Sequence, residues 1–189
     1  MAEWEKKRQT MRHYDQSATV YDAQYYEEQE AKINAALNSL SLREGGLVLD
    51  AGCGTGLLFP HVAEEVKLVV GIDISALILE EAEKRVEQHF NTALIRADVD
   101  YAPFPNETFD VVFAITLLQN TPNPNLTLNE MKRVTKRDAT IVATGLKKAF
   151  SQREFAQLLK RARLKIVVMK ADEHLKGYVA ICTKFERKP

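Results

Sequence analysis

The fold of this chain is decided by the stretch Leu47-Val48-Leu49-Asp50-Ala51-Gly52-Cys53-Gly54-Thr55-Gly56. Its first three residues are apolar and predict a short buried strand that ends on a carboxylate. Three glycines then occupy alternate positions, as expected where the backbone passes close to a ligand. A dinucleotide-binding loop needs Gly-x-Gly-x-x-Gly, which would place the third glycine at position 57 and not at Gly56. The spacing therefore disfavours a nicotinamide-dependent oxidoreductase.

Apolar segments and helical patterns alternate along the rest of the chain. The predicted strands cover residues 47–49, 68–72, 93–97, 109–115, 140–146, 165–171 and 178–185. Three of the predicted helices cover residues 13–42, 57–65 and 126–136. Another follows the N-cap Ser75, and on it Ile78, Ala82, Val86 and Phe90 share one face. The last is opened by the capping box Ser151–Glu154.

The order of these elements predicts the fold class. The nearly continuous apolar strands suit a parallel sheet that is covered on both faces. The last two strands are joined by a connection that permits a hairpin but not a helical crossover. We therefore expect an α/β fold, a Rossmann-like, doubly wound and mostly parallel seven-stranded sheet with an antiparallel C-terminal hairpin strand and helices on both faces. Residues 1–189 are expected to form one domain, with an N-terminal helical segment over 1–44 and a core over 45–189.

Three of the first four predicted strands are followed by an acid, at Asp50, Asp73 and Asp98. In open α/β sheets, ligands bind beyond the carboxyl ends of the strands, so these acids should face a ligand. Asp73 lies 17 residues after Gly56, about where nucleotide-binding folds place a carboxylate on ribose hydroxyls. Its two oxygens can accept both protons of a 2′,3′-diol. The alternative is an ordinary carboxylate at a strand end beside the Ser75 cap.

The strand, the acid and the run Gly-x-Gly-x-Gly together resemble the first motif of the class I S-adenosylmethionine-dependent methyltransferases, of the methyltransferase type 11-like group. The resemblance covers residues 45–185. It implies S-adenosyl-L-methionine as the cofactor and transfer of its methyl group as the activity.

The resemblance also implies roles for individual residues. Asp50 and the backbone of the glycine loop would reach the methionine end of the cofactor, and Ile74 would pack on the adenine. The carboxylate of Asp98 would accept from the adenine amino group, and the backbone amide of Val99 would donate to the ring. The cofactor-binding residues predicted in this way are Tyr14, Tyr21, Asp50, Gly52, Cys53, Gly54, Gly56, Asp73, Ile74, Asp98, Val99 and Thr116.

The segment from His13 to Asp22 resembles an N-terminal lid of small-molecule methyltransferases, whose tyrosines touch the methionine end of the cofactor. A sulfonium cation beside aromatic faces is physically favourable. Tyr14 and Tyr21 are therefore candidates for this contact. The alternative is that both tyrosines only dock their helix on the core.

The substrate is expected to enter after the fourth strand, at residues 116–122. This segment lacks the Pro-Pro-aromatic sequence of relatives that methylate the amino groups of bases or of glutamine, which argues against both substrate classes. Gln119 is the one candidate for orienting an acceptor by a hydrogen bond. No Ser/His/Asp constellation is visible. A general base is not required when the nucleophile is already neutral and basic, because the sulfonium is a good leaving group.

The acceptor remains open at this stage, with a small molecule favoured. The total charge is zero, but residues 130–170 contain twelve Lys or Arg and three acids, a local net charge of +9. Such a charge run is either a solvated face or a surface that meets phosphates. The basic stretch 132–165 and the sequence Leu117-Leu118-Gln119-Asn120, which resembles ribosomal-RNA methyltransferases with a small zinc-protein activator, keep RNA or a translation-associated protein as alternatives. A homodimer and a non-catalytic cofactor-binding domain are also open.

Composition limits the other classes. No apolar run approaches the length of about 20 residues that spans a bilayer, so no membrane association is expected. The first residues have no apolar segment typical of a signal peptide, which predicts a cytoplasmic protein. Cys53 and Cys182 form no disulfide framework and have no metal-ligand spacing, so no metal site is predicted.

Overall fold

A computed structural model describes residues 2–185. Seven strands form one sheet with the order β3-β2-β1-β4-β5-β7-β6. These strands are β1 (Leu47–Ala51), β2 (Leu68–Asp73), β3 (Thr92–Arg96), β4 (Phe109–Ala114), β5 (Thr135–Leu146), β6 (Leu164–Lys170) and β7 (Gly177–Lys184). The first five strands are parallel, and β7 runs antiparallel to both β5 and β6. The predicted fold class is therefore confirmed.

Within residues 2–185, six α-helices accompany the sheet. They are α1 (Ala2–Ser17), α2 (Tyr21–Leu37), α3 (Phe59–Val62), α4 (Ala76–Val86), α5 (Pro124–Val134) and α6 (Gln152–Arg161). Ile33 of α2, Phe59 of α3 and Leu79 of α4 belong to one buried apolar cluster, and Leu128 of α5 and Phe155 of α6 belong to another. The helices thus cover both faces of the sheet, which explains why its central strands are apolar on both sides.

Local sequence signals set several helix boundaries. The side chain of Ser75 accepts a hydrogen bond from the amide of Ile78 and caps α4, as predicted. Ser151 and Glu154 form the reciprocal capping box that opens α6, as predicted. Pro124 stands in the first turn of α5, where its missing N–H leaves no intrahelical partner unpaired.

The predicted helix over residues 13–42 is wrong in its bounds. The chain is already helical from Ala2, and a 3₁₀ turn over Ala18–Val20 separates α1 from α2. The first half of α1 contains few apolar residues, so its helical pattern gives no signal of burial. Its inward contacts are made instead by polar side chains, above all by the buried Lys7.

Two further helices are shorter than predicted. α4 ends at Val86, and Phe90 lies beyond its end and is fully exposed, so it does not share the apolar face. The amides of Gln88 and His89 donate to carbonyls three residues earlier, which closes the last turn. Between residues 57 and 65, only Phe59–Val62 is α-helical, and a 3₁₀ turn follows it.

The fifth strand is longer than predicted, because residues 135–139, which precede the predicted strand 140–146, also belong to β5. Thr135 pairs with Phe109, and the register against β4 shifts between Phe109 and Val111. Within residues 2–185, no helix is long and apolar enough to cross a membrane. The same residues contain no cluster of three or more His, Cys, Asp or Glu that could hold a metal ion.

Candidate active site

A cavity of about 710 Å³ lies at the carboxyl ends of β1, β2 and β4 and is bordered by α1. The sheet order changes direction between β1 and β4, which is where open α/β sheets bind ligands. Nine of the residues predicted to bind the cofactor line this cavity, namely Tyr14, Tyr21, Gly52, Gly54, Asp73, Ile74, Asp98, Val99 and Thr116.

The other predicted residues lie elsewhere. Asp50 and Cys53 line a smaller cavity of about 350 Å³, which shares Tyr21, Gly52 and Gly54 with the first one. Gly56 and Gln119 line neither cavity. The structure therefore brings the strand-end acids, the glycine loop and the two tyrosines together, and leaves those two residues outside.

Gly52, Gly54 and Gly56 of the loop all have positive φ, but their surroundings differ. A Cβ at Gly56 would lie 2.4 Å from Cε2 of Phe59, and one at Gly52 would lie 2.8 Å from Cδ1 of Leu117. A Cβ at Gly54 would meet nothing closer than 3.9 Å. Gly56 is thus required by the packing of a core phenylalanine, whereas Gly54 leaves its backbone open to the cavity.

Asp73, the last residue of β2, is held by the backbone. Its Oδ2 accepts from the amide of Gly54 at 3.1 Å, and its Oδ1 accepts from the amide of Ser75 at 3.0 Å. Burial raises the pKa of Asp73, and these backbone hydrogen bonds oppose the shift. Each oxygen keeps a further lone pair, so the carboxylate can still accept two hydroxyl protons from the cavity.

The surroundings of Asp73 suit an adenosine. The side chains of Ile74 and Ile78 line the same cavity, and Ala97 and Val99 stand at the end of β3. A carboxylate for a diol beside apolar walls for a flat ring is the donor and contact set that a nucleoside needs. The residues present therefore fit the adenosine part of S-adenosyl-L-methionine.

Asp50 is 3% exposed, and no hydrogen bond to its carboxyl group is formed within residues 2–185. Burial raises the pKa of Asp50 to about 8, and the negative charge of Asp73 adds to the shift. A carboxyl group of this kind favours a positively charged partner, because a nearby cation stabilises its ionised form. The position suits an ammonium group of a ligand.

Asp98 already has a cationic partner in the structure. Nζ of Lys7, on α1, lies 2.7 Å from Oδ2 of Asp98 and 2.5 Å from Oδ2 of Asp100. Asp100 is fully buried, and its Oδ1 accepts from the hydroxyl of Thr127. Burial lowers the pKa of Lys7, but hydrogen bonds and charges from Asp100 and Asp98 outweigh it and the net shift is upward. The predicted contact of Asp98 with an adenine amino group would therefore be shared with Lys7.

Two more acids fasten the N-terminal helices over the cavity. Oδ1 of Asp15 accepts from the hydroxyl of Ser75 at 2.5 Å and from the amide of Leu77 at 3.2 Å, at the N-terminus of α4. Asp22 accepts from the hydroxyl of Thr55 at 2.6 Å and pairs with Arg85 at 2.7 Å. Together with Lys7, these contacts hold α1 and the start of α2 against the carboxyl edge of the sheet.

Tyr14 and Tyr21 stand side by side at the cavity, with ring centroids 6.0 Å apart. Burial raises the pKa of Tyr14 to about 12 and raises that of Tyr21 further. Both hydroxyls are therefore protonated at neutral pH. The hydroxyl oxygen of Tyr14 accepts from Nδ2 of Asn120 at 2.6 Å, and that nitrogen also donates to the carbonyl of Thr116.

Thr116 follows β4 and has a φ of +59°, which is strained for a β-branched residue. A residue held in this region costs about 1–3 kcal/mol and persists only where its surroundings fix it. Its amide donates to the hydroxyl of Thr144 at 2.7 Å, and its own hydroxyl contacts Lys32 and Gln29, both at 2.8 Å. Such strain at the wall of a cavity is typical of functional sites.

Gln119, the residue considered for orienting an acceptor, turns its amide back onto the chain. Its Nε2 donates to the carbonyl of Thr116, and its Oε1 is buried with no hydrogen-bond partner among the described residues. The neighbouring Asn120 lines the cavity instead. An acceptor in the cavity would thus meet Asn120 before Gln119.

Several cavity residues were not predicted individually from the sequence, among them Lys7, Thr10, Asp100 and Asn120, of which Asn120 lies in the segment 116–122 where substrate entry was expected. Lys7 and Thr10 lie in the part of α1 that had no apolar pattern. Asp100 follows the predicted Asp98–Val99 pair by one residue, and Asn120 follows Gln119. Proximity to a predicted site residue was the only available signal for these last two.

Comparisons with known proteins point in one direction. A family model described as a methyltransferase domain matches residues 49–143. The chain is 38% identical over 101 residues to phosphatidylethanolamine N-methyltransferase of Cereibacter sphaeroides, and this match covers 52% of the chain and 49% of that protein. It is 31% identical over 134 residues to demethylmenaquinone methyltransferase of Bacillus licheniformis, which covers 69% of this chain and 56% of that protein.

Solved structures share the fold. The complex between the Haloferax volcanii Trm112 methyltransferase activator and a candidate methyltransferase contains a chain with a TM-score of 0.79 and 15% identity, covering 90% of this chain and 96% of that one. A SAM-dependent methyltransferase of Aquifex aeolicus gives a TM-score of 0.70 and 20% identity, covering 79% and 88%. The chain spans about half the length of the first curated relatives it matches.

Proposed function

This chain belongs to the class I S-adenosylmethionine-dependent methyltransferase family, and from this premise we propose that it transfers the methyl group of S-adenosyl-L-methionine to a small-molecule acceptor. The observation that carries the proposal is the carboxylate of Asp73, which is fixed by the amides of Gly54 and Ser75 and still has lone pairs free towards a cavity with apolar walls.

The residues around the cavity would bind and orient the reactants. Asp73 would hold the ribose hydroxyls, and Ile74 and Val99 would enclose the adenine. Asp50, in the adjoining cavity, would face the ammonium group at the methionine end. When bound, the cofactor supplies a methyl group on a sulfonium, which is a good leaving group. The protein then needs chiefly to align the acceptor with that methyl group.

The helices over the cavity would exclude water. Lys7 and Asp15 fasten α1, and Asp22 fastens the start of α2, at the carboxyl ends of the strands, so the cavity is covered on the side away from the strands. Water exclusion favours transfer to the acceptor over side reactions. No histidine lines the cavity, and both tyrosines have raised pKa values. An acceptor that is nucleophilic without loss of a proton suits these surroundings.

Isothermal titration calorimetry tests the cofactor assignment. The chain is titrated in parallel with S-adenosyl-L-methionine, S-adenosylhomocysteine and NADH, and we expect micromolar binding of the first two alone. Asp73→Asn keeps the shape of the side chain but replaces one acceptor oxygen, and should lower the affinity about tenfold or more, since a hydrogen bond to a charged group contributes about 1.5–3 kcal/mol. Asp138→Asn, on an exposed residue, is the control. Unchanged affinity in Asp73→Asn contradicts the ribose assignment.

The class of acceptor is proposed from the relatives. Phosphatidylethanolamine and demethylmenaquinone, which appear in the names of two of them, are small molecules with apolar parts. A panel of lipid amines and quinones, incubated with methyl-labelled cofactor, is the first screen. Transfer of label to protein or RNA and to none of these molecules would contradict the small-molecule proposal.

RNA is a second candidate substrate, and a cationic groove supports it. The groove, of about 1040 Å³, lies at the amino ends of the parallel strands, opposite the cavity. It is lined by Asn106, Glu107, Asn129, Lys132, Arg133, Arg163, Lys184 and Phe185. The pKa of Lys132 is lowered by burial and by Arg163. Burial also lowers the pKa of Lys184. The charge of Glu107 opposes this shift, and the charges of Lys132 and Arg137 add to it. A negatively charged phosphate would relieve this repulsion.

The structural neighbour in complex with the Trm112 activator supports the same candidate, in which this chain would act with a small activator protein. Binding of single-stranded RNA is measured over a range of salt concentrations. If the groove holds phosphates, the double variant Lys132→Gln/Lys184→Gln lowers the slope of log K against log[salt] by about 1.4 for two lost contacts. The exposed pair Lys148→Gln/Lys160→Gln is the matched control. Equal slopes in both variants would contradict an RNA contact at the groove.

A further inference from the structure

Lys32, on α2, is a fully buried lysine that does not line the cavity. Its Nζ donates to Oε1 of Glu28 at 2.5 Å and to the hydroxyl of Thr116 at 2.8 Å. The pKa of Glu28 is lowered, because hydrogen bonds and charges from Lys32 and Lys176 outweigh its burial, so its carboxylate is ionised beside the ammonium. A buried ion pair seldom adds much stability compared with apolar residues, so its presence calls for another role.

Burial lowers the pKa of Lys32, and the hydrogen bond and charge of Glu28 oppose this shift and favour the ammonium form. An ammonium group can only donate hydrogen bonds, and this fixes the direction of every bond that follows. Because the hydroxyl oxygen of Thr116 accepts from Lys32, its single proton must go elsewhere. It goes to Oε1 of Gln29 at 2.8 Å. The amide nitrogen of Gln29 then donates to the hydroxyl oxygen of Tyr21 at 3.1 Å. The side chain of Gln29 is itself buried, which leaves this chain of bonds out of contact with bulk water.

The opposite orientation of the Gln29 amide is unfavourable. Its NH₂ group would face the Thr116 oxygen, which already accepts from Lys32, and the Thr116 proton would lose its acceptor. A buried donor without a partner costs free energy. Lys32 thus selects one orientation of the amide, and with it the bond that Tyr21 receives.

The hydroxyl of Tyr21 has its oxygen engaged by Gln29, and no residue in the described part of the chain accepts its proton. Tyr21 lines the cavity and also the adjoining one that contains Asp50. The proton is therefore available to a ligand at the place where the two cavities meet. Tyr14 repeats the arrangement independently, because Asn120 donates to its oxygen.

We propose that Lys32 is a positioning residue which, through Thr116 and Gln29, directs the hydroxyl proton of Tyr21 into the cavity as a hydrogen-bond donor to a ligand carboxylate. The inference rests on the proposed function, in which that carboxylate is the one at the methionine end of the cofactor. Tyr21 contacts the ligand, whereas Lys32 acts only by setting the direction of the hydrogen bonds.

The variant Gln29→Glu reverses the polarity of this chain without changing its shape. At pH 8 the Glu side chain accepts from Thr116 and also from Tyr21, so the Tyr21 proton turns away from the cavity. We expect about a tenfold loss of affinity for S-adenosylhomocysteine, equal to the loss in Tyr21→Phe, and no further loss in the double variant. The affinity for 5′-methylthioadenosine, which has no carboxylate, should stay unchanged in all three. Calorimetry measures each affinity.

Lys32→Met removes the ammonium and keeps a side chain of similar length. If Lys32 acts through Tyr21, this variant weakens S-adenosylhomocysteine binding in the wild-type background and has no effect on it in the Tyr21→Phe background. An equal loss in both backgrounds, or a loss for 5′-methylthioadenosine as well, means that Lys32 only supports the structure and overturns the proposal. Unchanged binding in Gln29→Glu overturns it too, even if Lys32→Met fails to fold.

The proposed function fails by a different result. In that case the unaltered chain binds neither S-adenosylhomocysteine nor 5′-methylthioadenosine. Binding of both by the unaltered chain, with no difference among the variants, leaves the methyltransferase proposal standing and refutes the role of Lys32 alone.

Discussion

At the scale of single residues, two glycines with positive φ, one before β1 and one in the glycine loop, differ in what a side chain would meet. Gly45 has φ of +76° and open space around its Cβ position, whereas a Cβ at Gly56 would collide with Phe59. We predict that Gly45→Ala costs about 1 kcal/mol of unfolding free energy, from the backbone alone. Gly56→Ala should cost about 3 kcal/mol, because overpacking adds about 1–3 kcal/mol. Urea unfolding measures both, and equal losses would contradict the assigned role of Phe59.

Asp50 gives a prediction about pH. Its pKa is raised to about 8 by burial, so the folded chain holds a proton that the unfolded chain has lost from about pH 4 upwards. Folded-state stability attributable to this group therefore falls as pH rises from about 4 to about 8 and is constant above. Asp50→Asn removes the titration. From pH 4 to pH 8.5 this titration amounts to about 5 kcal/mol, so the Tm of Asp50→Asn relative to the unaltered chain should be at least about 10 °C higher at pH 8.5 than at pH 4.

The comparison is made without ligand, and the exposed Asp138→Asn serves as the control for a changed charge. A Tm difference for Asp50→Asn that is the same at both pH values would show that this carboxyl group titrates normally.

Site residues were predicted best from the sequence where a local pattern that determines the backbone conformation also indicates the site. Asp73 and the glycine loop follow directly from a strand end and a glycine spacing, and the structure brings them to one cavity. Lys7 could not be found in this way, because it reaches Asp98 from 91 positions away in the chain. A single lysine among the many charged residues of α1 has no local feature that distinguishes it.

At the scale of elements, the ion pairs of Lys7 and the hydrogen bonds of Asp15 attach α1 to the rest of the chain. Lys7→Met leaves the buried carboxylate of Asp100 without its cationic partner, which costs about 3 kcal/mol. We predict that the amides of α1 exchange with solvent about one to two orders of magnitude faster in this variant. Hydrogen exchange followed by mass spectrometry gives the rates.

Arg8→Met is the matched control, because Arg8 pairs only with Glu5 on the exposed side of the same helix. Equal acceleration in both variants would mean that Lys7 does not hold α1 in place.

The prediction of elements succeeded where burial leaves a pattern. The apolar strands and the amphipathic α5 were recognised from the spacing of their apolar residues, and α6 was recognised also from its capping box. The prediction failed for the start of α1, because a helix held by polar contacts shows no apolar periodicity. It failed for Phe90, because this exposed phenylalanine falls at the spacing expected of a buried helix face. Both errors concern which side chains are buried, which only the packed chain determines.

At the scale of the whole molecule, two candidate binding surfaces lie at opposite ends of the parallel strands. The cavity lies at the carboxyl ends of these strands, and the cationic groove lies at their amino ends. We predict that S-adenosylhomocysteine protects α1 and the loops 52–56 and 116–122 from hydrogen exchange and leaves the residues of the groove unchanged. Protection at the groove would show that the ligand binds there or that the two edges are coupled.

The order of the strands could be predicted as a class but not in detail. Alternation of strands and helices, followed by a short hairpin connection, already limits the sheet to a doubly wound type with one antiparallel strand. The bulge between β4 and β5 depends on contacts between segments far apart in sequence, and no local pattern indicates it.

The attachment of α1 over the cavity has a consequence for ligand exchange rates. We predict that Lys7 and Asp15 on α1, and Asp22 at the start of α2, release their partners before a molecule the size of a nucleoside enters or leaves. Entry then proceeds no faster than this opening, so in stopped-flow mixing the observed association rate should level off at high ligand concentration instead of rising in proportion to it. Departure of the spent cofactor waits for the same event, and turnover would be set by the opening of a helix and not by the transfer of the methyl group.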